Sequence, residues 1–194
     1  MSQNLKKFYM NKNIQNLIST LEKIDNFDYL NNIEVILNKI LARLKNGGII
    51  YLAGNGGSAA QSQHFAAELV GRFKRDRKPI NAISLTTDTS IITSIGNDIS
   101  FDNIFMRQIE SKFKKNDILI CFSTSGNSKN ISNLLKFTKK NDFYSILLSG
   151  KSGGKCKNLC SDIIKVPTND TAIIQETHLL ITHYMCEKIE NYYA

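Results

Sequence analysis

His64 and Glu68 stand four residues apart in the run GNGGSAAQSQHFAAE, residues 54 to 68. On a helix that spacing puts an imidazole and a carboxylate on one face. Such a pair can hold a metal ion or move protons, although ordinary surface pairs share the spacing. The start of the run, Gly54-Asn55-Gly56-Gly57-Ser58, has the character of a ligand loop. Glycines let the backbone turn sharply and approach a ligand closely. Ser58 is placed to cap the helix that follows, whose free amides favour an anion. The spacing matches neither the dinucleotide fingerprint nor the nucleotide P-loop.

A second cluster is Ser123-Thr124-Ser125-Gly126-Asn127-Ser128. A single helix cap needs one hydroxyl, and here four crowd one turn. Hydroxyls with free helix amides make a phosphate site that needs no lysine. Near the end of the chain stand Gln175 and His183, with His178 between them and nearly opposite Gln175. Eight residues along a straight helix is ~12 Å of rise. One small ligand can meet both residues only if the helix bends or two subunits contribute one each.

The elements that must position these residues alternate. Ile14, Leu17, Ile18 and Leu21 fall at helical spacing, as do Ile33, Ile36, Leu37, Ile40, Leu41 and Leu44. These two N-terminal helices span residues 1–46, and Gly47-Gly48 ends the second. Short apolar runs at 49–53, 80–85, 118–122, 144–148 and 163–166 predict five strands. Helical stretches are expected at 58–73, 90–95, 101–113 and 128–140, with a long closing helix over 171–192. Apolar strands alternating with helices predict an α/β fold, a doubly wound five-stranded parallel sheet covered on both faces. In such sheets ligands bind outside the carboxyl ends of the strands, which is where both loops fall.

The 194 residues fit a single domain, 1–194, with 42% hydrophobic and 22% charged residues. No apolar run is long enough to span a bilayer. The polar start, Met1 to Lys7, is unlike an export signal, so a cytoplasmic protein is expected. Cys121, Cys156, Cys160 and Cys186 form no paired zinc motif and read as buried or incidental thiols. The net charge of +8 comes from scattered lysines without an aromatic-basic stripe, so neither nucleic acid nor membrane is an expected partner.

Taken together, four segments resemble the sugar isomerase (SIS) domain, and more closely the phosphoheptose isomerases. They are GNGGSAAQSQHFAAE (54–68), LTTDTSIITSIGND (85–98), STSGNS (123–128) and AIIQETHLLITH (172–183). The resemblance covers nearly the whole chain. It implies a flavodoxin-like sheet and a homotetramer with active sites between subunits. The implied reaction is an enediol isomerisation of sedoheptulose 7-phosphate, feeding heptose into lipopolysaccharide or capsule. It implies Glu68 as general base and His183 as partner acid/base. It further implies one zinc ion per site on His64, Glu68, Gln175 and His183. Asn55, Gly56, Gly57, Ser58, Glu68, Asn97, Asp98, Ser123, Thr124, Ser125, Ser128 and Gln175 are the implied substrate contacts. One departure stands out: Ile173 occupies a place that is often Arg in the family.

Two other readings share the fold. A regulator that associates with a replication initiator is similar to these isomerases, but lacks the acid at the position of Glu68 and the histidine at that of His183. Other SIS proteins, amino-sugar phosphate isomerases or sugar-responsive regulators, usually lack the combined His64, Glu68, Gln175 and His183 set.

Overall fold

The computed structural model describes residues 3–193; Met1, Ser2 and Ala194, at the ends of the expected domain, lie outside it. Two helices open the chain, α1 (Gln3–Ile24) and α2 (Phe27–Lys45). The Asn26 side chain accepts from the Tyr29 amide at 3.0 Å and caps α2. Ile33, Ile36, Leu37, Ile40 and Leu44 bury the stripe expected of α2. The stripe of α1 behaves differently, since Ile14 and Ile18 remain exposed.

The alternating region then gives β1 (Ile50–Gly54), α3 (Gly57–Val70), β2 (Ala82–Ser84) and α4 (Thr89–Asp98). It continues with α5 (Met106–Ile109), β3 (Ile118–Ser123), α6 (Lys129–Lys140), β4 (Tyr144–Ser149), β5 (Asp162–Lys165) and α7 (Thr171–Tyr193). All strands are parallel, in the order β2-β1-β3-β4-β5. That is the flavodoxin-like order, with its switch point between β1 and β3. β1, β3 and β4 are buried along their whole length, as strands covered on both faces must be. Alternate residues face opposite ways. Ile50, Leu52, Ile120 and Leu148 join α2, α3 and α7, whereas Tyr51, Leu119 and Leu147 join α5 and α6.

Two expected elements are shorter. The strand at 80–85 keeps only Ala82–Ser84, because the Ile80 amide turns to the Leu69 carbonyl at 3.0 Å. The helical stretch at 101–113 breaks into a 3₁₀ turn, Phe101–Asn103, and the single turn of α5. The Ser100 hydroxyl accepts from the Asp102 amide and starts that tight turn. Among the described residues no helix is long and apolar enough to cross a membrane. The four cysteines are free, with Cys121, Cys156 and Cys186 buried.

His178 is fully buried on α7, edge-on to Phe122, with Nε2 3.4 Å from the Ser149 carbonyl. Burial, against that weak hydrogen bond, pushes its pKa down to about 4. The unfolded chain takes up this proton near pH 6.5 and the folded chain does not. The stability it contributes is therefore complete above about pH 6.5 and lost as pH falls toward 4. Between those limits, the urea unfolding free energy of the wild type should fall more than that of His178→Gln, by about 3 kcal/mol. Parallel profiles would show that the ring is not held neutral by the fold.

Candidate active site

β1 ends at Gly54, and α3 begins three residues later. Gly56 is the residue before the helix and has φ +55°, a conformation that favours glycine. It takes the cap position that the sequence suggested for Ser58. Ser58 instead lies buried in the first turn, where its carbonyl accepts the Ser62 hydroxyl at 2.9 Å. No side chain caps the helix; the Ser58 and Ala59 amides donate instead to the Asn55 and Gly56 carbonyls, each at 3.0 Å. At Gly57 the need is space: a Cβ there would stand 2.5 Å from Gln175 Nε2. Glycine thus lets α7 bring Gln175 against the start of α3. Gln61 Nε2 donates to the Gln175 carbonyl at 2.5 Å and holds it there.

The second loop meets the first across the switch point. Asn55 and Asn130 exchange two amide hydrogen bonds of 2.9 Å, tying the β1–α3 turn to α6. Ser128 precedes α6 but makes no capping bond with its side chain. Its hydroxyl lies 3.5 Å from that of Ser123. The cavity here, of about 220 Å³, is lined by Asn55, Ser58, Phe122, Ser123, Thr124, Ser128, Thr171 and Gln175. Hydroxyls and amides dominate that wall, with the start of α6 beside it. A wall of this chemistry suits an anionic group such as a phosphate.

Some expected contacts lie apart from this cavity. Ser125 is exposed, and its hydroxyl accepts the Asn127 amide within the turn, at 3.1 Å. Asn97 and Asp98 are exposed at the end of α4 and hydrogen-bond to each other at 2.8 Å. Ile173 is buried and lines a groove against α1.

The titratable group sits further along the same two helices. α3 and α7 lie side by side and run the same way, Gly57 beside Gln175 and His64 beside His183. His64 Nε2 lies 2.9 Å from His183 Nε2 and 3.4 Å from Glu68 Oε1. One ligand atom from each residue falls within 4.8 Å of the others. Two imidazole nitrogens and a carboxylate form a donor set that zinc accepts, with one position left open. Nitrogens bound to one tetrahedral zinc stand roughly 3.3 Å apart, close to the separation here. The Glu68 side chain is 22% exposed, open enough to meet a substrate and exchange protons with water. The Phe73 ring stacks on His183, with centroids 5.4 Å apart and planes 25° from parallel.

Three of the four expected metal ligands therefore meet within one chain. Gln175 does not join them. It belongs to the hydroxyl-lined cavity, ~12 Å back along α7. The sequence reading missed Asn130, Thr171, Gln61 and Phe73. Only Asn130 left a faint signal, as a polar residue beside Ile131 at the start of an amphipathic helix.

A model of the SIS domain matches residues 11–150. A phosphoheptose isomerase of Aliarcobacter butzleri is 52% identical over 76% of this chain and 78% of its own length. One from Clostridium acetobutylicum is 44% identical over 95% of this chain and 94% of its own. The solved phosphoheptose isomerase of Neisseria gonorrhoeae superposes with a TM-score of 0.88 at 36% identity, covering 95% of this chain and 98% of that one. The five-stranded parallel fold agrees with those likenesses, and the chain belongs to the SIS domain family, among its phosphoheptose isomerases.

Proposed function

We propose that this chain interconverts sedoheptulose 7-phosphate and D-glycero-D-manno-heptose 7-phosphate, an aldose–ketose isomerisation through an enediol, in the cytoplasm. The observation that carries the reading is Glu68, a partly open carboxylate packed against two imidazoles on the helix that leads from a hydroxyl-lined phosphate cavity. A regulator that binds only a partner protein has no use for that group.

The residues divide the work. Ser123, Ser128 and the amides at the start of α6 hold the phosphate and so orient the far end of the sugar. Glu68 takes the proton from C1. The electrons of the broken C–H bond form the C1–C2 double bond of the enediol, and the C2 oxygen gains a proton from His183. Glu68 returns a proton to C2 and His183 takes up the O1 proton, which gives the aldose and restores both groups. His64, Glu68 and His183 would hold a zinc ion, which when bound polarises the carbonyl and steadies negative charge on the oxygens. A carboxylate has two oxygens, so Glu68 can face an ion with one and a carbon-bound proton with the other.

The geometry bears on assembly. Ser58 and Glu68 are ten residues apart, ~15 Å along α3, which is too far for both to serve one small pocket of the same chain. Closed symmetry resolves this if the His64–Glu68–His183 group of one chain faces the phosphate cavity and Gln175 of its neighbour. Gln175 then supplies the fourth ligand from across the interface. The exposed stripe of α1 and an apolar groove of about 460 Å³ between α1, α2 and α7 suit a homotetramer.

Product analysis after incubation with sedoheptulose 7-phosphate tests the activity, and formation of the aldose phosphate is the expected result. Ser123→Ala with Ser128→Ala should raise KM roughly tenfold or more, the effect of losing hydrogen bonds to a charged group, while kcat changes little. No aldose from the wild type would overturn the activity; an unchanged KM would place the phosphate elsewhere.

A further inference from the structure

Beyond the reacting group, α7 ends near a charged pair that the reaction does not use. Glu190 is 1% exposed, and both of its oxygens are occupied. Oε1 accepts from the Phe73 amide at 3.0 Å; Oε2 accepts from the amides of Lys74 at 2.8 Å and Arg75 at 3.1 Å. Arg77 Nε lies 3.3 Å from Glu190 Oε1, and the two side chains are 1% and 2% exposed. The other end of the Arg77 guanidinium donates to the carbonyls of Glu68 and Leu69, both at 2.8 Å.

We infer that Glu190 and Arg77 act as a positioning pair that holds Glu68 and His183 in working register. Two branches lead from the pair. Through Arg77 it reaches the backbone of Glu68, at carbonyls that the end of α3 leaves without helical partners. A cation there also suits the helix dipole. Through Glu190 it fixes the backbone of residues 73–75 and with it the Phe73 ring, which stacks on His183. Both branches thus end on the two residues assigned to proton transfer. A buried ion pair contributes little net stability compared with apolar packing, so stability alone does not account for it. The pair touches neither substrate nor ion, and it acts by limiting the positions open to groups that must stay aligned.

The inference rests on the proposed roles of Glu68 and His183, so its test needs a readout independent of turnover. Cobalt(II) binding supplies one, measured by its visible absorption on the full-length protein. Phe73→Leu removes the stacked ring at a half-buried loop position and leaves an apolar side chain. Glu190→Gln keeps one acceptor and removes the charge opposite Arg77. Losing a partner that orients a ligand typically costs 10–100-fold in metal affinity or activity. Phe73→Leu should therefore bind cobalt roughly tenfold more weakly and lose a similar factor in kcat, with KM for the sugar phosphate held within about twofold. Glu190→Gln should show at least the same cobalt loss. If Glu190→Gln does not fold, Phe73→Leu decides alone. If the wild type fails to turn over the heptulose phosphate, the proposed reaction falls and cobalt affinity still decides the positioning role. Cobalt affinity within about twofold of wild type in the folded variants would overturn the inference.

Discussion

Glu68→Gln should lower kcat by roughly a thousandfold, within the range that a positioned acid/base contributes. The substitution keeps the size of the side chain and removes its charge and its ability to accept a proton, so zinc content is measured beside kcat to separate lost proton transfer from a weakened metal ligand. The backbone carbonyl of Glu68 still receives Arg77, and the side chain is not part of the apolar core. Folding and KM should therefore change little, which separates loss of chemistry from loss of structure. Turnover near the wild-type rate in a folded variant would remove Glu68 from the base role.

His183→Ala should have an effect of similar size by a different route. It removes one of three converging ligand atoms, so the loss of metal affinity should exceed the 10–100-fold typical of an orienting partner. The purified wild type should hold about one zinc per chain, lose activity in chelator and regain it with zinc. Full activity in chelator, with no bound divalent ion, would discard the metal. The same variant probes assembly. Mixed and re-associated with Gln175→Ala, it should regain part of the activity. Some sites then combine an intact reacting group from one chain with an intact cavity from the next. Glu68→Gln mixed with His183→Ala should regain none, because those two residues meet on a single chain.

Much of this was legible from the residues. Apolar runs flanked by turns marked all five strands, since a strand buried on both faces has no polar alternation to blur it. The spacing of His64 and Glu68 gave their shared face, and the hydroxyl cluster at 123–128 gave the cavity wall. What the sequence hid was packing between segments distant along the chain. Gln175 and His183 looked difficult to reconcile, as eight residues on one helix. The parallel course of α3 and α7 explains them: each meets α3 at its own level, Gln175 at Gly57 and His183 at His64. Ser58 looked like a cap because its type suits one, but glycine with positive φ took the position. Glu190, near the end of a helix, has the sequence character of a solvated charge. Its burial depends on three amides from the loop after α3, which periodicity does not reveal.

The central claim is that Glu68 moves a carbon-bound proton, and exchange with solvent tests it most directly. Wild type and Glu68→Gln would be incubated with sedoheptulose 7-phosphate in D2O, and deuterium at C1 of the recovered ketose and C2 of the product read by NMR. Glu68 is open enough to trade its proton with water, so the wild type should place deuterium at both carbons. Glu68→Gln should place it at neither. Product formed without any deuterium, or equal exchange in the variant, would contradict proton transfer by Glu68.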